Sequence, residues 1–197
     1  ERRHFIEHHN IGGVILFRSN CPSLKELRRL TQALKGLKTE NPLWIALDHE
    51  GGRVHRLPEP FTHFPSMNRV KTADHAFQVC EAMGRELAAV EVDLDFAPVL
   101  DVWTNPCNKV IGDRAFSNRP QDVAELGAAF IRGLQGTGVA ACGKHFPGHG
   151  DTDFDSHFTL PRADHNRRRL EAIEWIPFRT AIAEGLASIM TAHVQYD

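Results

Sequence analysis

Apolar and β-branched residues gather into short runs at Gly12–Phe17, Pro42–Asp48, Val92–Pro98, Gly138–His145 and Leu186–His193. Each is nearly continuous in its hydrophobicity and reads as a parallel strand buried on both faces. Between them lie amphipathic stretches of helical length at Ser23–Leu37, Ala73–Glu91, Pro120–Thr137 and Arg167–Glu184. Ser23 stands where an N-cap belongs, with Glu26 in the capping-box position. Strands alternating with helices at intervals of roughly 30 to 50 residues predict βαβ units around a parallel sheet.

A doubly wound sheet and a (β/α)8 barrel both fit that alternation, and the positions of the polar residues separate them. Arg18, Asp48, Asp101, Lys144, His145 and His193 each follow an apolar run. A ring of such residues at the C-terminal ends of the strands is where barrel enzymes keep their chemistry. A doubly wound fold would carry a Gly-rich phosphate turn after its first strand, whereas Gly12-Gly13 precedes the strand here. The expected fold is therefore an α/β barrel of the TIM type, incomplete in this chain, with about five βα units visible. No linker, low-complexity segment or repeat divides the sequence, so residues 1–197 are expected to form a single catalytic barrel domain. Closure takes eight strands and about 200 to 250 residues. A chain of 197 residues that opens on Glu1 and stops at Asp197, just after an apparent strand end, is expected to be truncated at both ends.

Composition narrows the function. A content of 42% hydrophobic and 24% charged residues is that of a globular domain with a real core. The formal charge of −2 and a pI near 6.7 leave no basic footprint for nucleic acid or an acidic membrane surface. The run Arg167-Arg168-Arg169 reads as a solvated face at a helix start. Cys21, Cys80, Cys107 and Cys142 stand far apart without CxxC spacing, which favours reduced thiols and a cytoplasmic location over a disulfide framework or a zinc ribbon. No stretch approaches the about eighteen apolar residues of a membrane helix, and no signal peptide opens the chain.

The densest chemistry lies in Lys144–His157, which holds three histidines and three aspartates. His145 and His149 are four apart, as in a helical zinc site, but Pro147 and Gly148 between them break that helix. Asp151, Asp153 and Asp155 imitate the start of an EF-hand loop, yet Ser156 stands where that loop needs Gly and Arg162 where it needs a bidentate Glu. No metal or other cofactor is expected. Two readings of Asp155 and His157 remain. In one, Asp155 holds one ring nitrogen of His157 and leaves the other for proton transfer; in the other, the pair belongs to a surface loop with a local Asx turn. His149 and His193 are equally open between lining a pocket and serving as hydrogen-bonded structural residues. Gly51-Gly52 are expected to form a tight turn.

The string KHFPGHGDTDFDSHFTLP resembles the signature of the NagZ branch of family 3 glycoside hydrolases, in which a mobile loop carries a His/Asp dyad. GGVILFRSN, ALDHEGGRVHRL and FAPVLDVWTNPCNKVIGDRAFS agree with the same family in the same order. The resemblance implies a (β/α)8 barrel and a β-N-acetylhexosaminidase. It makes His157 the general acid/base and Asp155 its orienting partner, and it matches Asp48, Arg56, Arg114, Lys144 and His145 to sugar-contacting positions. The structural alternative for Asp48 is a helix cap or an ion pair with Arg53 or Arg56; for Arg114 it is a salt bridge to Asp113 or Asp101. The reaction implied is retaining release of terminal β-linked N-acetylglucosamine from a glycan or muropeptide in peptidoglycan recycling. Retention needs a nucleophilic carboxylate about 5 to 5.5 Å from the acid/base, and the family's nucleophile corresponds to a position beyond Asp197, so this chain alone is expected to be inactive. The competing classes are a non-catalytic sugar-binding barrel, against which the intact Asp155 and His157 argue, and a metal-dependent barrel hydrolase.

Overall fold

The computed structural model describes residues 2–152 and 161–196. Asp155 and His157 lie outside the described residues. The architecture is α/β: β1 (Gly13–Leu16), β2 (Trp44–Leu47), β3 (Leu94–Asp95), β4 (Ala140–Phe146) and β6 (Ser188–Thr191) pair in that order as one parallel sheet. Within this sheet each strand pairs with the sheet strand that follows it in sequence, so the order never reverses, unlike a doubly wound sheet. Among the described residues the sheet is open between β1 and β6, and a closed barrel is not seen. Strands β1, β2, β3 and β6 fall inside the apolar runs, whereas β4 keeps Lys144 in the ladder and extends one residue past its run, to Phe146.

The helices are α1 (Arg2–His8), α2 (Leu24–Lys35), α3 (Ala73–Ala88), α4 (Pro120–Gln135), α5 (Arg167–Ala172) and α6 (Trp175–Ala183). Ser23 caps α2 by accepting from the Glu26 N–H at 3.2 Å, as its capping-box position predicts. The expected single helix over Arg167–Glu184 is two. Pro177 has no N–H and its ring would strike the carbonyl four residues back, so a helix reaches it only by restarting with the proline in its first turn. The chain breaks at Ile173, where φ is −130° and ψ −73°. The break carries Glu174 into the interior, and Arg169 turns inward to meet it, so only Arg167 and Arg168 of the arginine run form a solvated face. Helix α1 and the two-residue pair β5 (Arg162–Ala163) and β7 (Gln195–Tyr196) are too short to mark the hydrophobic pattern.

Leu47, Met83, Leu87, Phe130, Leu134 and Phe178 are among the buried side chains that join the sheet to α3, α4 and α6. Helix α4 packs between α3 and α6, and glycines on α3 and α4 set how closely. A Cβ on Gly133 would lie 2.5 Å from the Phe77 carbonyl oxygen, and one on Gly84 would lie 2.3 Å from Thr137 Oγ1. Gly133→Ala gains about 1 kcal/mol of helix propensity, but a backbone oxygen cannot swing aside, and overpacking costs about 1–3 kcal/mol. An approach of 2.5 Å to a backbone atom puts the cost in the upper part of that range, about 2–3 kcal/mol, so the substitution is expected to lower stability by about 1–2 kcal/mol net, read as a reduced urea midpoint at unchanged slope. An equal or higher midpoint would show that α3 and α4 are not in that close contact.

Candidate active site

Beyond the C-terminal end of β2 the chain runs Asp48, His49, Glu50 and then turns. Gly51 (φ +87°) and Gly52 (φ +54°) adopt conformations that side chains disfavour, and a Cβ on Gly51 would sit 2.5 Å from the Pro65 carbonyl oxygen. The turn closes with the Glu50 N–H donating to the Val54 carbonyl at 3.0 Å. It brings Arg56 back over the strand end, where the Arg56 N–H donates to His49 Nδ1 at 3.3 Å. Burial, then the nearby charges of His55, Arg56 and His63, pull the His49 imidazole down to about 3, so the ring is neutral and can accept that bond.

The loop after β3 supplies Arg114 from a short 3-10 turn, Gly112–Arg114. Arg53 ties it to the β2 turn, donating to the carbonyls of Lys109 (2.9 Å) and Val110 (2.6 Å) and pairing with Asp113 at 3.1 Å. Strand β4 supplies Lys144 and His145. Successive strand residues normally face opposite ways, but the register shifts between Lys144 and Phe146, and such a bulge lets both side chains serve one site.

These elements meet at Glu50. Its carboxylate receives Lys144 Nζ at 2.6 Å and, on both oxygens, the Arg114 guanidinium at 2.7 and 2.8 Å. Lys144 also reaches Asp48 at 2.7 Å, and Arg56 stands 3.9 Å from the other Asp48 oxygen. Burial opposes a charge on Glu50, but Lys144 and then the Arg114 bonds hold its carboxyl at about 2. The same contacts outweigh burial on the two cations and raise both. Below them Asp95 is fully buried; burial raises its carboxyl well above the usual range, and its Oδ1 accepts the His49 N–H at 2.9 Å.

Asp48, Arg56, Arg114, Lys144 and His145, the five described positions singled out for sugar contact, line one cleft of about 570 Å³. Glu50, His149 and His193 line it too, and Ile15 and Phe17 form an apolar wall. Asp48 and Lys144 are thus on the same end of the sheet. The alternatives for the charged residues are partly met and partly replaced. Asp48 does face Arg56, while Arg53 has gone to Asp113; Arg114 pairs with neither Asp113 nor Asp101 but with Glu50. Lys144 has a side chain only 2% exposed, with two of its three N–H groups committed to carboxylates. Sequence reasoning missed Glu50, although its place two residues past Asp48 was a signal. His145 and His149 direct their Nδ1 atoms to Asp101 and Thr152, each at 2.7 Å. Among the described residues no group of three or more His, Cys, Asp or Glu side chains is placed to hold a metal ion.

The profile of the "Glycosyl hydrolase family 3 N terminal domain" matches residues 1–197. The chain belongs to glycosyl hydrolase family 3. Among its family 3 relatives, a β-hexosaminidase of Neisseria gonorrhoeae is 44% identical over 94% of the chain and 54% of its own length. One from Alkalilimnicola ehrlichii is 43% identical over 100% of the chain and 58% of its own length. The chain thus spans little more than half the length of these curated relatives. A family 3 β-N-acetylglucosaminidase from Paenibacillus superposes with a TM-score of 0.95 at 42% identity, over 98% of this chain and 38% of that one. NagZ from N. gonorrhoeae, in complex with N-trifluoroacetyl-D-glucosamine, superposes at 0.88 with 44% identity, over 94% and 57%.

The Glu50 network makes an acid-stability prediction. A carboxyl at about 2 in the folded chain and near 4.3 unfolded stabilises the fold above the unfolded value, and that contribution is lost as pH falls through this window. Glu50→Gln is expected to cost about 3 kcal/mol at neutral pH and to flatten the decline in stability between about pH 5 and 2. Urea midpoints measured across that range check it; equal pH slopes for the two proteins would contradict the ion pairing.

Proposed function

We propose that this chain is the substrate-binding part of a β-N-acetylhexosaminidase that releases terminal β-linked N-acetylglucosamine with retention of configuration. The observation that carries the reading is the cleft at the strand ends, where Asp48, Arg56, Arg114, Lys144 and His145 converge. A partly exposed carboxylate beside fixed cations suits a polar, uncharged sugar: Asp48 can accept hydroxyl protons while Arg and His donate or accept around it. The apolar wall of Ile15 and Phe17 offers a surface for the sugar's C–H face. The relatives' names, and the glucosamine derivative in the gonococcal complex, support the hexosamine.

In this proposal His157 is the proton donor and acceptor and Asp155 orients it. The nucleophilic carboxylate comes from the half of the full-length relatives that this chain does not span, and the same half closes the sequentially ordered sheet into a (β/α)8 barrel. The physiological substrate is a muropeptide in peptidoglycan recycling, and the location is cytoplasmic, in keeping with four free thiols. No helix among the described residues is long and apolar enough to cross a membrane.

The test is made in the full-length protein. His157→Ala is expected to lower hydrolysis of a natural glycoside by about a hundredfold to ten-thousandfold, and Asp155→Asn by less. A dinitrophenyl glycoside hardly needs protonation to leave, so its glycosylation step is expected to survive His157→Ala far better. Equal losses for both substrates in that step would remove His157 from the role.

A further inference from the structure

One buried carboxylate beside the cleft makes no direct hydrogen bond or ion pair with the side chains of the network around Glu50. Asp101 is fully buried and stands where β3's continuation meets β4. Its Oδ1 accepts two backbone N–H groups, from His145 at 3.2 Å and His149 at 2.6 Å. Its Oδ2 lies 2.7 Å from His145 Nδ1. Burial opposes a charge on Asp101, yet His145 and then the His149 N–H hold its carboxyl below the usual range.

An ionised carboxylate only accepts hydrogen bonds. At 2.7 Å from it, Nδ1 must therefore carry a proton, whatever the state of the rest of the ring. The His145 side chain is 17% exposed and lines the cleft, and Nε2 has no hydrogen-bond partner among the described residues. We propose that Asp101 is a positioning residue that locks His145 in the Nδ1–H tautomer, so that the neutral ring presents Nε2 to the cleft as a hydrogen-bond acceptor. Resting on the hexosamine reading, the group it receives is a sugar hydroxyl that must act as a donor at that point. The cleft then holds two acceptors of different kinds, the Asp48 carboxylate and the His145 nitrogen, among donors supplied by arginine and lysine. A hydroxyl is both donor and acceptor, and a ring of fixed polarity selects how it is oriented.

The two bonds on Oδ1 make the proposal testable by a single-atom change. In Asp101→Asn the amide oxygen must stay on the backbone N–H groups of His145 and His149, which only an acceptor satisfies. The amide NH2 is then turned to His145 Nδ1. It can only donate, so the ring must give up the Nδ1 proton and become the Nε2–H tautomer, a donor toward the cleft. The fold keeps its clamp while the polarity of His145 reverses.

The experiment is a long-range 1H–15N correlation spectrum of the full-length protein at a pH where imidazoles are neutral, with the His145 signals assigned by their loss in His145→Gln. The wild-type protein is expected to show the Nδ1–H pattern and Asp101→Asn the Nε2–H pattern. With a chromogenic N-acetylglucosaminide, Asp101→Asn is expected to lose about tenfold to a hundredfold in kcat/KM, the usual scale for a mispaired buried polar group. An Nε2–H tautomer in the wild-type protein, a spectrum that needs no variant to fold, overturns the proposal, as does an unchanged Nδ1–H tautomer in Asp101→Asn. Expected spectra with no turnover of the glycoside by the wild-type protein would leave the tautomer lock standing and count against the hexosaminidase reading instead.

Discussion

A single buried carboxylate organises the cleft. Glu50 is 3% exposed and sits between an ammonium and a guanidinium brought from segments far apart in the chain. Each of these ions alone would lose several kcal/mol on leaving water. Together, with both Glu50 oxygens engaged and Lys144 shared with Asp48, they offset that loss only if the β2 turn, the Gly112–Arg114 turn and the bulged end of β4 stand in register. The geometry of three separate loops therefore depends on one set of ion pairs, and Arg53 reinforces it by bracing the second turn against the first.

The consequence for the cleft is a rigid polar floor. Lys144 and Arg114 are held from behind by Glu50, so they do not have to be ordered when a ligand arrives, and preorganised donors act without that entropic cost. Asp48 keeps part of its carboxylate open to the cleft, while His145 is held from behind by Asp101. Lys144, Arg114 and His145 thus each have a buried partner that fixes them, and those buried partners, Glu50 and Asp101, are residues that a site-directed reading of the sequence passes over.

Much of the fold was legible because buried parallel strands write themselves as continuous apolar runs. Four of the five sheet strands fall inside such runs, β4 overruns its own by one residue, and the helices α2, α3 and α4 begin within a residue of where their patterns start. The single helix read over Arg167–Glu184 failed because amphipathic periodicity ignores the proline at 177. The two-residue strands β5 and β7 carry too few residues for any period. At the cleft, position after an apolar run picked out Asp48, Lys144 and His145, since strand ends are where polar side chains can emerge together. Partner choice was not legible: nothing local distinguishes Asp101, Asp113 and Glu50 as mates for Arg114. Only the turn at Gly51-Gly52, which brings Glu50 over the sheet, decides between them.

The central claim is that a prebuilt charge network makes this cleft a seat for N-acetylglucosamine. The most direct measurement is a crystal structure of the full-length protein soaked with that sugar. The account predicts the ring in the cleft, hydroxyls within hydrogen-bond distance of Asp48 and His145, and Lys144 and Arg114 still on Glu50. A sugar bound elsewhere, or one that draws either cation away from Glu50, would contradict it.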